Sequence, residues 1–185
     1  AEVNPETITK GPLASDVAWL ELQPSKLLYK VKKDHFARPE KLLAAWVRTL
    51  AMAASGGKAR GILVGRDGVV EIAPMPKDKA APLLNHLLQV WLDGMNAPLP
   101  LPPKTAMVFV ANKDAATCYQ GGYMSSAEVD EPCLSRVFPD FEALTADGRF
   151  EALAQAIYVP LLEWVKQHVQ VTLHATEAPT TEVYP

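Results

Sequence analysis

The chain has 185 residues, 49% of them hydrophobic, which is enough for one sizeable core and slightly short for two. Its 18 basic and 21 acidic residues give a formal net charge of -3 at pH 7, so no uniformly basic surface exists and any nucleic-acid contact has to come from a local patch. Cys118 and Cys133 are too few for a disulfide scaffold and lack the closely spaced Cys or His companions of a zinc site; reduced thiols in a cytoplasmic protein are the expectation.

Residues Ala1 to Lys10 lack the basic start and apolar run of a signal peptide, and no segment approaches the ~20 apolar residues of a membrane span. The polar start without a methionine suits a piece of a longer chain. One domain is expected over residues 13–168, with an extension at 1–12 and a strand or tail at 169–185.

In chain order, residues 17–22 and 27–33 read as strands separated by the Gln23-Pro24-Ser25 turn. In the second strand, alternation puts Leu27, Tyr29 and Val31 on one face and Lys30 and Lys32 on the other. After Pro39, the apolar residues Leu42, Leu43, Trp46, Leu50 and Ala53 recur at helical spacing until Gly56-Gly57. Arg60 to Val64 and Val69 to Ala73 flank Gly65-Arg66-Asp67-Gly68, whose Asp-Gly pair predicts a hairpin.

A second helix is expected from Lys77 to Asp93, stopped by Gly94, with Pro82 near its first turn and Leu83, Leu84, Leu87, Leu88, Trp91 and Leu92 as its apolar set. The proline-rich stretch 97–103 should be extended, as a packed connector or an SH3-type ligand. A third helix is predicted from Lys104 to about Gln120. A fourth carries Phe150, Leu153, Ala154, Ile157, Leu161, Leu162 and Val165 and bends at Pro160. The fold class is therefore α/β (α+β), a small mixed sheet flanked by about four helices.

Several chemistries fail on spacing. Gly57-Lys58-Ala59 lacks the hydroxyl of a phosphate-binding loop, and Met52 stands where its first glycine belongs. Gly61, Gly65 and Gly68 do not make the dinucleotide fingerprint. His35, His86, His168 and His174 show no metal-ligand interval, and no nucleophile-elbow motif occurs. Many metal-dependent nucleases place an acidic residue two positions before a strand lysine. No lysine here has Asp or Glu at that distance; Glu21-Leu22-Gln23 comes nearest, with an amide where the ammonium should be. Thus no catalytic or metal-binding set emerges, although a nuclease with deviant ligands, using Asp16 or Glu21, stays open as an alternative.

The positive signal is a basic cluster. Between residues 26 and 41 six cations, Lys26, Lys30, Lys32, Lys33, Arg38 and Lys41, face two acids, Asp34 and Glu40, with Tyr29 and Phe36 interleaved. Such a patch can neutralise phosphates with little sequence information; the alternative is a solvated strand face on a protein-interaction module without DNA contact.

The order of certain segments resembles the C-terminal region of RecC, the gamma subunit of exodeoxyribonuclease V. These are Val17-Ala18-Trp19-Leu20, Arg38-Pro39-Glu40-Lys41-Leu42-Leu43-Ala44-Ala45-Trp46, Ala53-Ala54-Ser55-Gly56-Gly57 and Leu92-Asp93-Gly94-Met95-Asn96-Ala97-Pro98-Leu99. Tyr119-Gln120-Gly121-Gly122-Tyr123, Val137-Phe138-Pro139-Asp140-Phe141 and Tyr158-Val159-Pro160-Leu161-Leu162 extend the similarity to about residues 13–165. The resemblance implies a helicase–nuclease complex that resects double-strand breaks, with RecB-like and RecD-like partners and the rest of a RecC-like chain. ATP hydrolysis there belongs to RecB and RecD and cleavage to RecB, while RecC supplies scaffold, strand separation and Chi recognition. It also implies a restriction-endonuclease-like fold without catalytic residues, no cofactor, and DNA as a partner.

Overall fold

The computed structural model describes residues 17–122 and 126–174. It is a mixed α/β fold in which a four-stranded sheet runs in the order β1-β4-β5-β6, namely Ala18–Leu22, Arg60–Val64, Gly68–Ile72 and Val169–Leu173. The edge strand β1 is parallel to β4, and the other pairs are antiparallel. The predicted hairpin is present at β4–β5, and the alternating carboxyl-terminal segment forms β6.

Register explains which side chains enter the core. Trp19, Gly61, Leu63, Val70, Ile72, Val169 and Val171 share one face, where Leu63, Val70 and Ile72 are fully buried. The opposite face carries Leu20 and Leu22, both exposed, with Ile62, Val64 and Val69 half-buried. The sheet is thus thickly covered on one side and open along β1 on the other.

Among the described residues seven α-helices accompany the sheet, against an expectation of about four. α1 (Leu43–Ala54) buries Ala45, Trp46, Thr49, Leu50 and Ala53; of the stripe read from the sequence Trp46, Leu50 and Ala53 are buried on it, Leu42 is buried just before it and Leu43 is half-buried, and the chain turns at Gly56, whose φ of 86° suits glycine. α2 runs from Lys77 to Asn96, three residues beyond the expected end. Gly94 does not stop it: it lacks the positive φ of a helix-ending glycine and instead makes room for Leu99, whose Cδ1 would lie 3.0 Å from a Cβ there.

The predicted third helix is two: α3 (Pro103–Val110) and α4 (Ala115–Gln120). Asn112 breaks the run at φ 54°, and Asp114 caps α4 by accepting from Thr117 N at 3.0 Å. Short helices α5 (Pro132–Val137) and α6 (Phe141–Thr145) have similar carboxylate caps from Glu131 and Asp140. α7 (Arg149–His168) continues through Pro160 and buries Phe150, Ala154, Ile157, Tyr158, Leu161 and Trp164. Residues from both ends of the described chain enter one apolar cluster.

An additional strand not expected from the sequence, β3 (Asp34–Ala37), pairs with β2 (Leu28–Val31) in a separate two-stranded ribbon. The ribbon is anchored by the β4–β5 turn. Asp67 Oδ1 accepts from Leu27 N at 2.8 Å, and its Oδ2 accepts from Leu28 N at 3.1 Å. Arg66 N donates to Ser25 O at 3.2 Å. Gly65 and Gly68 allow the approach: a Cβ would lie 2.5 Å from Leu27 Cγ at the first and 2.5 Å from Thr172 O at the second. His174 also binds this turn, with Nε2 2.7 Å from Gly65 O.

Burial opposes ionisation of Asp67, but the amides of Leu27, Leu28 and Asp67 itself, with Lys26 nearby, outweigh it and hold the carboxyl below its ordinary value. A depressed folded value means stabilisation that is complete above the unfolded carboxyl value and lost as pH falls through the folded one. Asp67→Asn should therefore lower unfolding free energy by about 1–3 kcal/mol near neutral pH, because two amides lose a charged acceptor. In urea denaturation series the gap from wild type should close as pH drops below about 4; a gap independent of pH would contradict the assignment.

Candidate nucleic-acid interface

Two places come from the sequence: the imitation nuclease position at Glu21, and the basic stretch 26–41. Glu21 lies on β1, facing the same way as Trp19. Both of its oxygens are engaged: Oε1 accepts from Gln23 Nε2 at 3.0 Å, and Oε2 from Arg48 Nη1 at 2.7 Å. Arg48 reaches across from α1 with its guanidinium 4.7 Å from the Trp19 ring centre. Trp19 in turn lies over Gly61, where any Cβ would collide with the indole.

The charge of Glu21 is thus balanced by a guanidinium that an aromatic face keeps in place. A divalent cation held here would need further carboxylates, and among the described residues no group of three or more His, Cys, Asp and Glu side chains converges. Asp16, the other residue of the deviant-ligand alternative, lies outside the described residues. Of the histidines, His174 is used by the Gly65 contact. Burial draws His168 below its usual value, partly offset by its hydrogen bond to Pro74.

The basic stretch divides by position. Lys26 lies in the loop just before the Asp67 anchor and is exposed. Lys30 is exposed in the middle of β2, opposite His35. β2 ends at Val31, so Lys30 and Lys32 do not share a strand face as alternation predicted. Lys32 instead occupies the tight turn at φ 56°, followed by Lys33, and both are exposed. Lys41 is exposed at the end of a 3-10 turn, Pro39–Lys41.

Arg38 is partly committed to the fold. Its Nε donates to Leu28 O at 2.9 Å, its backbone N donates to Leu27 O at 2.8 Å, and Nη1 lies 3.5 Å from Glu40. That leaves five lysines, none within ion-pair distance of a carboxylate among the described residues. Contrary to the expected apolar face, Tyr29 and Val31 are exposed, and only Leu27 and Leu28 at the start of the strand are buried.

Two features were not read from the sequence: the return strand β3, and the Asp67 anchor that fixes the ribbon against the sheet. What results is a short antiparallel ribbon, rooted at its base and bearing exposed ammonium groups along its body and tip. Such an array can meet a phosphate backbone without reading base edges.

If Glu21 is used as described, adding magnesium or manganese should leave the melting temperature unchanged. A metal-dependent rise that disappears in Glu21→Ala would place a cation there instead.

No curated protein matches the chain. A family model, the RecC C-terminal domain, matches residues 9–114, a span that contains β1, the lysine ribbon, the β4–β5 hairpin, α1, α2 and α3. The stretches near Tyr119, Val137 and Tyr158 that extended the resemblance lie beyond the matched span. With more than half its length matched, the chain belongs to the RecC C-terminal domain family.

Proposed function

We propose that the chain is a non-catalytic domain that handles DNA and makes subunit contacts within its complex. Family membership implies a RecC-like subunit of the RecBCD family, acting in DNA repair. The observation that carries the non-catalytic reading is the state of Glu21, whose two oxygens are taken by Gln23 and Arg48. In this reading the domain is a nuclease-type scaffold retained after its chemistry was lost, and the guanidinium of Arg48 satisfies a carboxylate that no longer serves a metal.

The lysines of the β2–β3 ribbon supply the DNA contact, through Lys26, Lys30, Lys32, Lys33 and Lys41, with Arg38 contributing mainly to the ribbon's own geometry. Apolar surface supports the second half of the proposal. On α2, Leu88, Trp91, Leu92 and Met95 recur at i, i+3, i+4 and i+7, and all four are exposed, Trp91 at 59% and Met95 at 69%. Leu20 and Leu22 add a second exposed strip on the open sheet face. Surfaces of this kind fit contact with RecB-like and RecD-like subunits or with other parts of a RecC-like chain. A cytoplasmic location goes with this role.

The test is fluorescence anisotropy of a labelled forked duplex over a range of salt. Wild type should bind with a steep salt dependence. Replacing Lys30, Lys32 and Lys33 together by Ala should weaken binding at every sequence tried and flatten the log–log slope by about two to three. Absence of binding at low salt, or binding unchanged in the triple variant, would remove the ribbon from the DNA path. Metal-dependent cleavage by the pure chain, abolished in Glu21→Ala, would replace the proposal with the nuclease alternative.

A further inference from the structure

The β2–β3 ribbon presents more than charge. Tyr29 and Phe36 are directly paired across its two strands, with ring centres 5.8 Å apart and planes tilted by 33°. They are 39% and 45% exposed. A hollow of about 450 Å³ lies beside them, floored by Leu162 and Val165 of α7 and by Val169 and Val171 of β6, with His35 and Lys166 as its polar lining. That volume falls within the range of about 300–1,000 Å³ typical of small-ligand sites.

We infer that the Tyr29–Phe36 pair is a stacking platform for an unpaired base of single-stranded DNA, whose flanking phosphates are met by Lys32 and Lys33 in the tip turn. This rests on the DNA-handling reading and adds the form of DNA and the groups that select it. The flat faces matter because every nucleobase has a π face, so aromatic rings grip a strand without choosing its sequence. In a duplex those faces are buried in the base stack and unavailable to the pair. Charge decides against a protein ligand of ordinary composition: the ribbon's lysines have no carboxylate within ion-pair distance among the described residues, so the occupant has to bring anions at close intervals. A single strand brings both anions and free faces. Lys166 additionally offers a donor to a base edge entering the hollow.

The experiment compares binding of a labelled oligothymidylate and a blunt duplex of equal length by four proteins: wild type, the Lys30, Lys32, Lys33 triple alanine variant, Tyr29→Phe, and the double variant Tyr29→Leu with Phe36→Leu. Leucine keeps an apolar cross-strand contact, so the ribbon retains its packing while its π faces are lost. Circular dichroism and melting verify that each variant is folded.

The inference predicts that the double leucine variant loses roughly tenfold affinity for the single strand. It should leave duplex binding and the salt slope unchanged, and Tyr29→Phe should match wild type. If the double leucine variant binds the single strand as wild type does while the triple lysine variant loses it, the stacking platform is overturned and the charged contact stands. If wild type binds neither DNA at low salt, the DNA-handling reading falls and the platform with it. If polyglutamate displaces the oligonucleotide as well as unlabelled oligothymidylate does, at equal charge, recognition is by charge alone and the platform is again overturned.

Discussion

Asp67 accepts the amides of Leu27 and Leu28 with its two oxygens, and through these bonds the central hairpin of the sheet holds the root of the lysine ribbon. The ribbon has only two strands and would be marginal alone. Its stability comes from its base, where Leu27 and Leu28 are buried, Arg38 Nε satisfies the Leu28 carbonyl, and Gly65 and Gly68 leave room for the leucine side chains. The acid that forms the turn is thus also the acid that orders the neighbouring chain segment. The same turn receives His174 at the end of β6, so two distant parts of the sequence converge on four residues.

This anchoring gives the chemistry a particular division. On β1, Glu21 is neutralised by Arg48 and held beside Trp19; across the fold, exposed lysines have no carboxylate within ion-pair distance among the described residues, on a ribbon whose base is hydrogen-bonded to Asp67. One acidic position has been drawn into the structure, and the cations have been left outside it. In the function proposed above, these outward cations are the groups that hold DNA through its backbone. The exposed stripe on α2 and the exposed Leu20 and Leu22 of β1 lie on other elements than the lysine ribbon, so in the same proposal DNA and neighbouring subunits use different side chains.

Much of this was legible wherever a periodic pattern was long. The stripes of α1 and α7, the Asp-Gly hairpin and the alternation in β6 follow from side-chain spacing alone. β3 was hidden because its four residues, Asp34, His35, Phe36 and Ala37, continue a lysine-rich run with no turn glycine; Lys32 takes up the left-handed conformation instead. The break between α3 and α4 had a signal in Asn112 and in the Asp114–Thr117 cap, but the apolar run around it suggested one continuous helix. Gly94 misled because a glycine ends a helix only where it takes a positive φ, and here it stays helical and makes room for Leu99. The lysines were found as a cluster, yet the difference between Arg38 and the others is a matter of tertiary hydrogen bonds. Asp67 was read only as a turn residue, since its partners lie 40 and 39 positions away.

Native-state amide hydrogen exchange at Leu27 and Leu28, in wild type and in Asp67→Ala, tests most directly whether the ribbon is fixed to the sheet by that carboxylate. The two amides should exchange in wild type only at the slow rate of global unfolding, and in the variant through a faster local opening that spares Leu63 and Val70 in the sheet. Fast exchange of Leu27 and Leu28 in wild type, or equal protection in both proteins, would contradict the account.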